Sequence, residues 1–160
     1  MPVKLLIFCG TLLLFGPIAA AAGLVGQASV IDGDTIEIHG QRIRIDSIDA
    51  PESAQLCKDS AGKDYRCGQV AALALADKIG RHTVDCDNHG RDRYGRSLSF
   101  CSIAGEDLGA WLVERGLAVE YRRYSDGRYR AAEDGAKAAK AGLWAGTFQW
   151  PWDWRRDHRH

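Results

Sequence analysis

Between Gly26 and Asp46 the apolar residues fall on alternate positions: Val30, then Ile36 and Ile38, then Ile43 and Ile45. A period of two predicts short strands with one buried face. His39-Gly40 reads as the turn between two of them. Residues 47–66 have little periodicity and several turn formers, which predicts a loop. Residues 70–79 are rich in Ala and Leu and predict a first helix. Residues 83–86 and 98–103 predict two more strands around a polar loop at 87–95. A second helix is expected over 106–115, with Leu108, Trp111 and Leu112 on one face and Gly116 as its stop. A third is expected over 128–141, ended by Gly142. Strands first, with helices packed outside, predict an α+β domain. A five-stranded Greek-key barrel with three added helices fits the strand count.

Both ends of the chain differ from this middle. Lys4 precedes a mostly apolar run at 5–15, and Ala20-Ala21-Ala22 ends in an A-x-A pattern. This reads as a signal peptide over 1–22, with an apolar run too short for a comfortable membrane span. The barrel domain is then expected over 23–146. The tail, 147–160, sets Phe148, Trp150, Trp152 and Trp154 among Arg155, Arg156 and Arg159. Such a tail is expected to pack on the domain or fray, although it could also stack on unpaired bases. Trp111 and Trp144 are expected to be packing residues.

Charge changes the picture little. The chain has 21 basic and 21 acidic residues, and signal removal takes only Lys4. Any attraction to phosphate must therefore come from a local cluster. Cys57, Cys67, Cys86 and Cys101 remain after processing, and an even count in an exported chain implies disulfides. Of the three pairings, Cys57–Cys67 with Cys86–Cys101 is preferred, because each is local and the second can bridge two strands of one hairpin. No C-x-x-C and no His pair at helical ligand spacing is present, which argues against zinc.

Three segments carry chemistry. In Val30-Ile31-Asp32-Gly33-Asp34-Thr35-Ile36, two carboxylates at i and i+2 project to one side of extended chain, with Gly33 allowing a sharp turn. Such a pair repels unless a cation or proton joins it, and hard oxygen ligands suit Ca²⁺ or Mg²⁺. The spacing does not fit an EF-hand, because Glu37 stands where the loop needs Gly. In the second segment, 42–52, the strand part turns Ile43 and Ile45 inward and Arg44 outward. Pro51 keeps Ala50 extended, leaving Asp49 and Glu52 on irregular backbone where they can converge. The third, Arg91-Asp92-Arg93-Tyr94-Gly95-Arg96, gathers arginines at the mouth of a hairpin. Arginine grips phosphate bidentately and stays charged at any working pH. A cation plus arginines can stabilise charge on a phosphoryl group in transfer. Taken singly, each segment also reads as an ordinary turn, strand end or solvated basic loop. No G-x-S-x-G, H-E-x-x-H or G-x-x-x-x-G-K-[ST] competes.

On Val30-Ile31-Asp32-Gly33-Asp34-Thr35, Arg44 through Asp49-Ala50-Pro51-Glu52, Tyr94-Gly95-Arg96 and the closing Gly142-Leu143-Trp144, the chain resembles the staphylococcal nuclease family. The resemblance runs from about Gly26 to Trp144. It implies a barrel of the oligonucleotide/oligosaccharide-binding (OB) type with three helices. It implies Ca²⁺ held by Asp34, Asp49 and the Ala50 carbonyl, with Asp32 close by and Glu52 reaching the ion through water. It implies hydrolysis of DNA and RNA to 3′-phosphate ends by a monomer with no stable membrane association. In that picture Arg44 and Arg96 grip the scissile phosphate, and Glu52 activates or positions the attacking water. Arg93, Tyr94, Tyr121 and Tyr124 are candidate substrate contacts; Arg93 stands where the family has a lysine. The exported chain would work in the periplasm or outside the cell. The rival readings are a non-catalytic barrel that binds nucleic acid or protein, and a disulfide scaffold with a structural Ca²⁺.

Overall fold

The computed structural model describes residues 23–158. The signal-peptide reading and Arg159 lie outside the described residues. In chain order the elements are β1 (Leu24–Asp32), β2 (Thr35–Ile38), β3 (Gln41–Ile45), β4 (Ile48–Asp49), β5 (Leu56–Lys58), β6 (Asp64–Arg66), α1 (Cys67–Ile79), β7 (Thr83–Arg91), β8 (Ser97–Ile103), β9 (Glu106–Asp107), α2 (Leu108–Glu114), β10 (Val119–Glu120), α3 (Arg130–Ala138), a 3₁₀ turn (Gly142–Ala145) and α4 (Pro151–Asp157).

The alternating segment folds as the antiparallel meander β1-β2-β3, with Ile36 opposite Ile43. His39 and Gly40 both take positive φ, 52° and 76°. That suits a two-residue hairpin turn matched to strand twist. β7 pairs with β1 on one side and β8 on the other, and β8 runs parallel to β3. This last pairing closes five strands, β3-β2-β1-β7-β8, into a barrel. Ile36, Ile38, Ile43 and Ile45 fill it with no exposed surface, joined by Leu75 and Ile79 of α1 and Leu108 and Leu112 of α2. Trp111 belongs to the same core. The fold is an α+β barrel of five strands, as the strand count suggests, and of the OB type that the resemblance implies.

Three regions differ from the sequence expectation. The predicted loop at 47–66 holds β4 and a small hairpin, β5-β6. The predicted loop at 87–95 is largely strand: β7 runs to Arg91 against β8, with a bulge between Asn88 and Gly90, and only 92–95 form the turn. Ladder hydrogen bonds need backbone and not apolar side chains, so a polar strand with one wet face is hidden from a hydrophobicity pattern. The tail adds a fourth helix, α4, with Pro151 in its first turn, where a missing N–H costs nothing.

The tail packs instead of fraying. Thr147 and Lys58 exchange backbone hydrogen bonds of 2.8 and 3.1 Å. A second apolar cluster of Cys57, Cys67, Val119 and Leu143 carries Trp144, Phe148, Trp150 and Trp152. The structure pairs Cys57 with Cys67 and Cys86 with Cys101, as preferred. The first ties β5 to the start of α1; the second crosses the β7-β8 hairpin.

Candidate functional site

The site begins at the corner between β1 and β2. A Cβ on Gly33 would lie 2.7 Å from Ala50 Cβ and 2.9 Å from Ala71 Cβ. Only glycine lets this corner touch both the 49–52 segment and α1. The contact drives Asp34 inward, to 5% exposure. Asp34 Oδ2 accepts from the Ala50 amide (3.1 Å) and Oδ1 from the Thr35 hydroxyl (3.1 Å). The Asp34 amide donates to Asp32 Oδ1 at 3.1 Å.

Arg44 stands opposite Thr35 across β2-β3. Its side chain leaves the barrel core, but carboxylates cover it and only 12% stays exposed, so the solvent-facing position expected from alternation is corrected. Nη1 pairs with Asp34 Oδ2 at 2.5 Å, and Nη2 donates to Asp49 Oδ1 at 2.9 Å and to the Ile48 carbonyl at 3.0 Å. Asp49 is fully buried on β4, which β10 holds through the pairing of Val119 with Asp49. Asp34 and Asp49 therefore meet on one guanidinium.

Glu52 lies just beyond, on irregular backbone. Its carbonyl accepts from the Gln55 amide (2.8 Å), and its amide donates to Gln55 Oε1 (3.2 Å). α1 abuts this turn so closely that a Cβ on Gly68 would sit 1.9 Å from the Glu52 carbonyl oxygen. From the far side of the barrel mouth, Arg96 donates through Nη1 to Thr35 Oγ1 at 3.2 Å. Asp92 holds it with a 2.7 Å bond to Nε. Arg96, Thr35, Asp34, Arg44 and Asp49 thus form one connected polar chain.

The remaining candidates divide. Arg93 lies 4.9 Å from the centre of the exposed Tyr94 ring, and Arg96 flanks the same ring at 5.6 Å. Tyr121 stacks on Trp152 of the tail, with ring centres 5.4 Å apart, and meets exposed Tyr124 edge-on.

Arg155 is the site residue that sequence reasoning missed. It reaches in from α4. Nη1 donates to Asp49 Oδ1 (2.9 Å) and Glu52 Oε1 (2.7 Å), and Nη2 to Asp49 Oδ2 (2.8 Å). The only signal was a run of Trp and Arg after Pro151, which does not identify a partner so far back in the chain.

Charges at the site compete. Burial pushes the Asp34 carboxyl up, but Arg44, the Ala50 amide and Thr35 outweigh it and hold the group below the usual carboxylate range. Burial also acts on Asp32, and with the charge of Asp34 beside it raises Asp32 to about 6. Asp49 is pushed up by burial and by Asp34, against the pull of Arg155 and Arg44. Among the described residues no three His, Cys, Asp or Glu side chains converge into a ready metal cage. The acidic oxygens are instead bridged by two guanidiniums, so this cluster already requires positive charge. Its donors are hard oxygens, a set that fits a hard divalent cation.

Residues 42–146 match the family model described as staphylococcal nuclease homologue. The chain is 47% identical over 135 residues to the succinoglycan biosynthesis protein ExoI of Rhizobium meliloti, covering 83% of this chain and 71% of that protein. It is 33% identical over 144 residues to a micrococcal nuclease of Shigella flexneri, covering 79% of this chain and 77% of that one. To an uncharacterized endonuclease of Haemophilus influenzae it is 29% identical over 158 residues, covering 92% and 83%. With more than half of its length inside the family model, the chain belongs to the staphylococcal nuclease family.

Proposed function

We propose that this protein is an exported, Ca²⁺-dependent nuclease that hydrolyses DNA and RNA to 3′-phosphate ends. One observation carries the reading: Asp34 and Asp49 converge on Arg44, with Glu52 and Arg96 at the two ends of the same polar cluster. The relatives named as nucleases support hydrolysis of nucleic acid.

Asp34, Asp49 and the Ala50 carbonyl would hold the ion, with Asp32 close by and Glu52 contributing through water. A bound divalent ion supplies Lewis-acid polarisation of a phosphoryl oxygen and offsets its charge. The chain's own groups do the rest. Arg44 and Arg96 would donate to the non-bridging oxygens; Arg44 already lies against Asp34 and Asp49, the carboxylates that would hold the ion. Glu52 orients a water and takes its proton. The water oxygen bonds to phosphorus, the bond from phosphorus to O5′ breaks, and O5′ takes a proton from solvent as it leaves, so the phosphate stays on the 3′ side. Arg93, Tyr94, Tyr121 and Tyr124 are proposed contacts to flanking nucleotides.

Export to the periplasm or beyond accords with the 1–22 segment and with two disulfides, which persist in oxidising compartments. Among the described residues no helix is long and apolar enough to cross a membrane. The proposed working form is a monomer.

The test is incubation of purified protein with single-stranded DNA, in Ca²⁺ or chelator. Cutting should need Ca²⁺, and Asp34→Asn or Arg96→Ala should each slow it about 10²–10³-fold, as expected for loss of one charge-stabilising contact. A non-catalytic binding barrel is the second reading, favoured by the capping of Asp49 and Glu52 by Arg155. Binding without cutting in Ca²⁺ would establish it instead.

A further inference from the structure

α4 is a docked arm. Four contacts seat it: the Thr147–Lys58 backbone pair, a 2.7 Å bond from buried Gln55 Nε2 to the Gln149 carbonyl, the stack of Tyr121, Trp152 and Trp150, and Arg155 itself. A Cβ on Gly146 would lie 1.9 Å from the Lys58 carbonyl, so the chain enters the arm by a close backbone approach that requires glycine. The arm delivers one guanidinium to Asp49 and Glu52. The next residue of α4, Arg156, bonds among the described residues only Asp153 and Asp157 of its own helix and stays 64% exposed.

Both oxygens of Asp49 are consumed. Oδ1 accepts from Arg44 and Arg155, and Oδ2 from Arg155. Neither oxygen can ligate a cation while Arg155 stays there, because the guanidinium occupies the space in front of the carboxylate. The same fork takes Glu52 Oε1. We infer that Arg155 is a tethered competitor for the divalent cation, so that this residue sets the cation concentration at which the site fills. The inference rests on the reading of Asp34 and Asp49 as cation ligands.

The consequence is quantitative. A ligand that binds only the arm-released state has its apparent affinity reduced by the fraction of molecules in that state. An arm docked for nine molecules in ten weakens the cation about tenfold. Aspartate oxygens freed from Arg155 should bind more tightly by at least that factor.

The experiment is calorimetric titration of Ca²⁺ into the full-length protein, comparing wild type with Arg155→Ala, Arg155→Lys and Arg156→Ala. Arg155→Ala should tighten Ca²⁺ at least about tenfold, with Arg155→Lys between it and wild type, since lysine lacks the bidentate fork. Arg156→Ala removes the same charge from the same helix and should stay within about twofold, separating competition from bulk electrostatics. A second readout is made on wild type and survives an Arg155→Ala variant that fails to fold. The Arg155 side-chain NMR resonances, identified by their loss in Arg155→Lys, should report a rigid guanidinium in chelator and a freely rotating one in saturating Ca²⁺. Equal or weaker affinity in Arg155→Ala, or unchanged Arg155 resonances on saturation, overturns the inference and leaves the cation reading standing. No Ca²⁺ binding in any of the four proteins refutes the cation reading itself, and the inference with it.

Discussion

β4 carries Asp49, and its partner β10 is fixed by a carboxylate on α3. Glu133 is 1% exposed. Its Oε2 accepts from the Glu120 amide at 2.8 Å, and its Oε1 from Arg122 at 2.9 Å and from Lys137. Glu133→Leu keeps the volume and removes all three. A buried amide left without an acceptor costs about 1–3 kcal/mol. Arg122 is 61% exposed and Lys137 32%, so solvent screens both pairs and each adds at most about 1 kcal/mol. The expected loss is about 1–5 kcal/mol, which lowers the midpoint of a domain this size by roughly 3–20 °C. Glu133→Gln retains an acceptor for the amide and should lose about half as much. Burial raises the Glu133 carboxyl, but Lys137, the Glu120 amide and Arg122 lower it further, leaving it below its ordinary 4.5. A depressed folded-state value gives stability that is complete above the unfolded value and is lost as pH falls through the folded one. The gap between wild type and Glu133→Gln should therefore be widest above pH 4.5 and close in acid. Thermal melts followed by circular dichroism in chelator, stepped in pH, measure it. A gap that persists unchanged into acid, or a Leu variant melting no lower than wild type, would refute the assignment of this carboxylate as the anchor of β10.

Three further outcomes follow from the geometry. Gly68→Ala puts a methyl group into the Glu52 carbonyl, so backbone must move; a loss of about 1–3 kcal/mol in melting is expected together with at least tenfold slower cutting, and normal activity would sink the packing argument. Replacing Cys86 and Cys101 together with Ser opens a loop of sequence separation 15, for a chain-entropy loss of about 3 kcal/mol, read as an earlier urea midpoint than wild type. Asp92→Ala frees Arg96 from its 2.7 Å bond and should slow cutting; unchanged cutting would contradict Asp92 as the group that positions Arg96.

The sequence made the barrel legible because its core strands are amphipathic: Ile36, Ile38, Ile43 and Ile45 announce their inward face by alternation alone. The same rule fails for residues 87–91, whose strand is held by backbone pairing to β8 and exposes mostly polar side chains. It fails again for β4, where two residues are too few to show a period. The candidate carboxylates were legible through local spacing, since Asp32 and Asp34 share one corner, and Asp49, at the end of β4, stands three residues before Glu52. Arg44 was legible as a site residue but not as a buried one. Alternation turns it away from the core, and only tertiary structure says that two carboxylates wait there. Arg155 has the same character in stronger form. Its neighbour Arg156 is the same residue, yet among the described residues its partners, Asp153 and Asp157, both lie on its own helix. What distinguishes them is the seating of α4 by Gln55 and the Tyr121 stack, contacts that exist only after the barrel has closed. A charge that completes a site from the far end of the chain is therefore selected by packing, and its role becomes readable only when the carboxylates it covers are seen to have no free oxygen on Asp49.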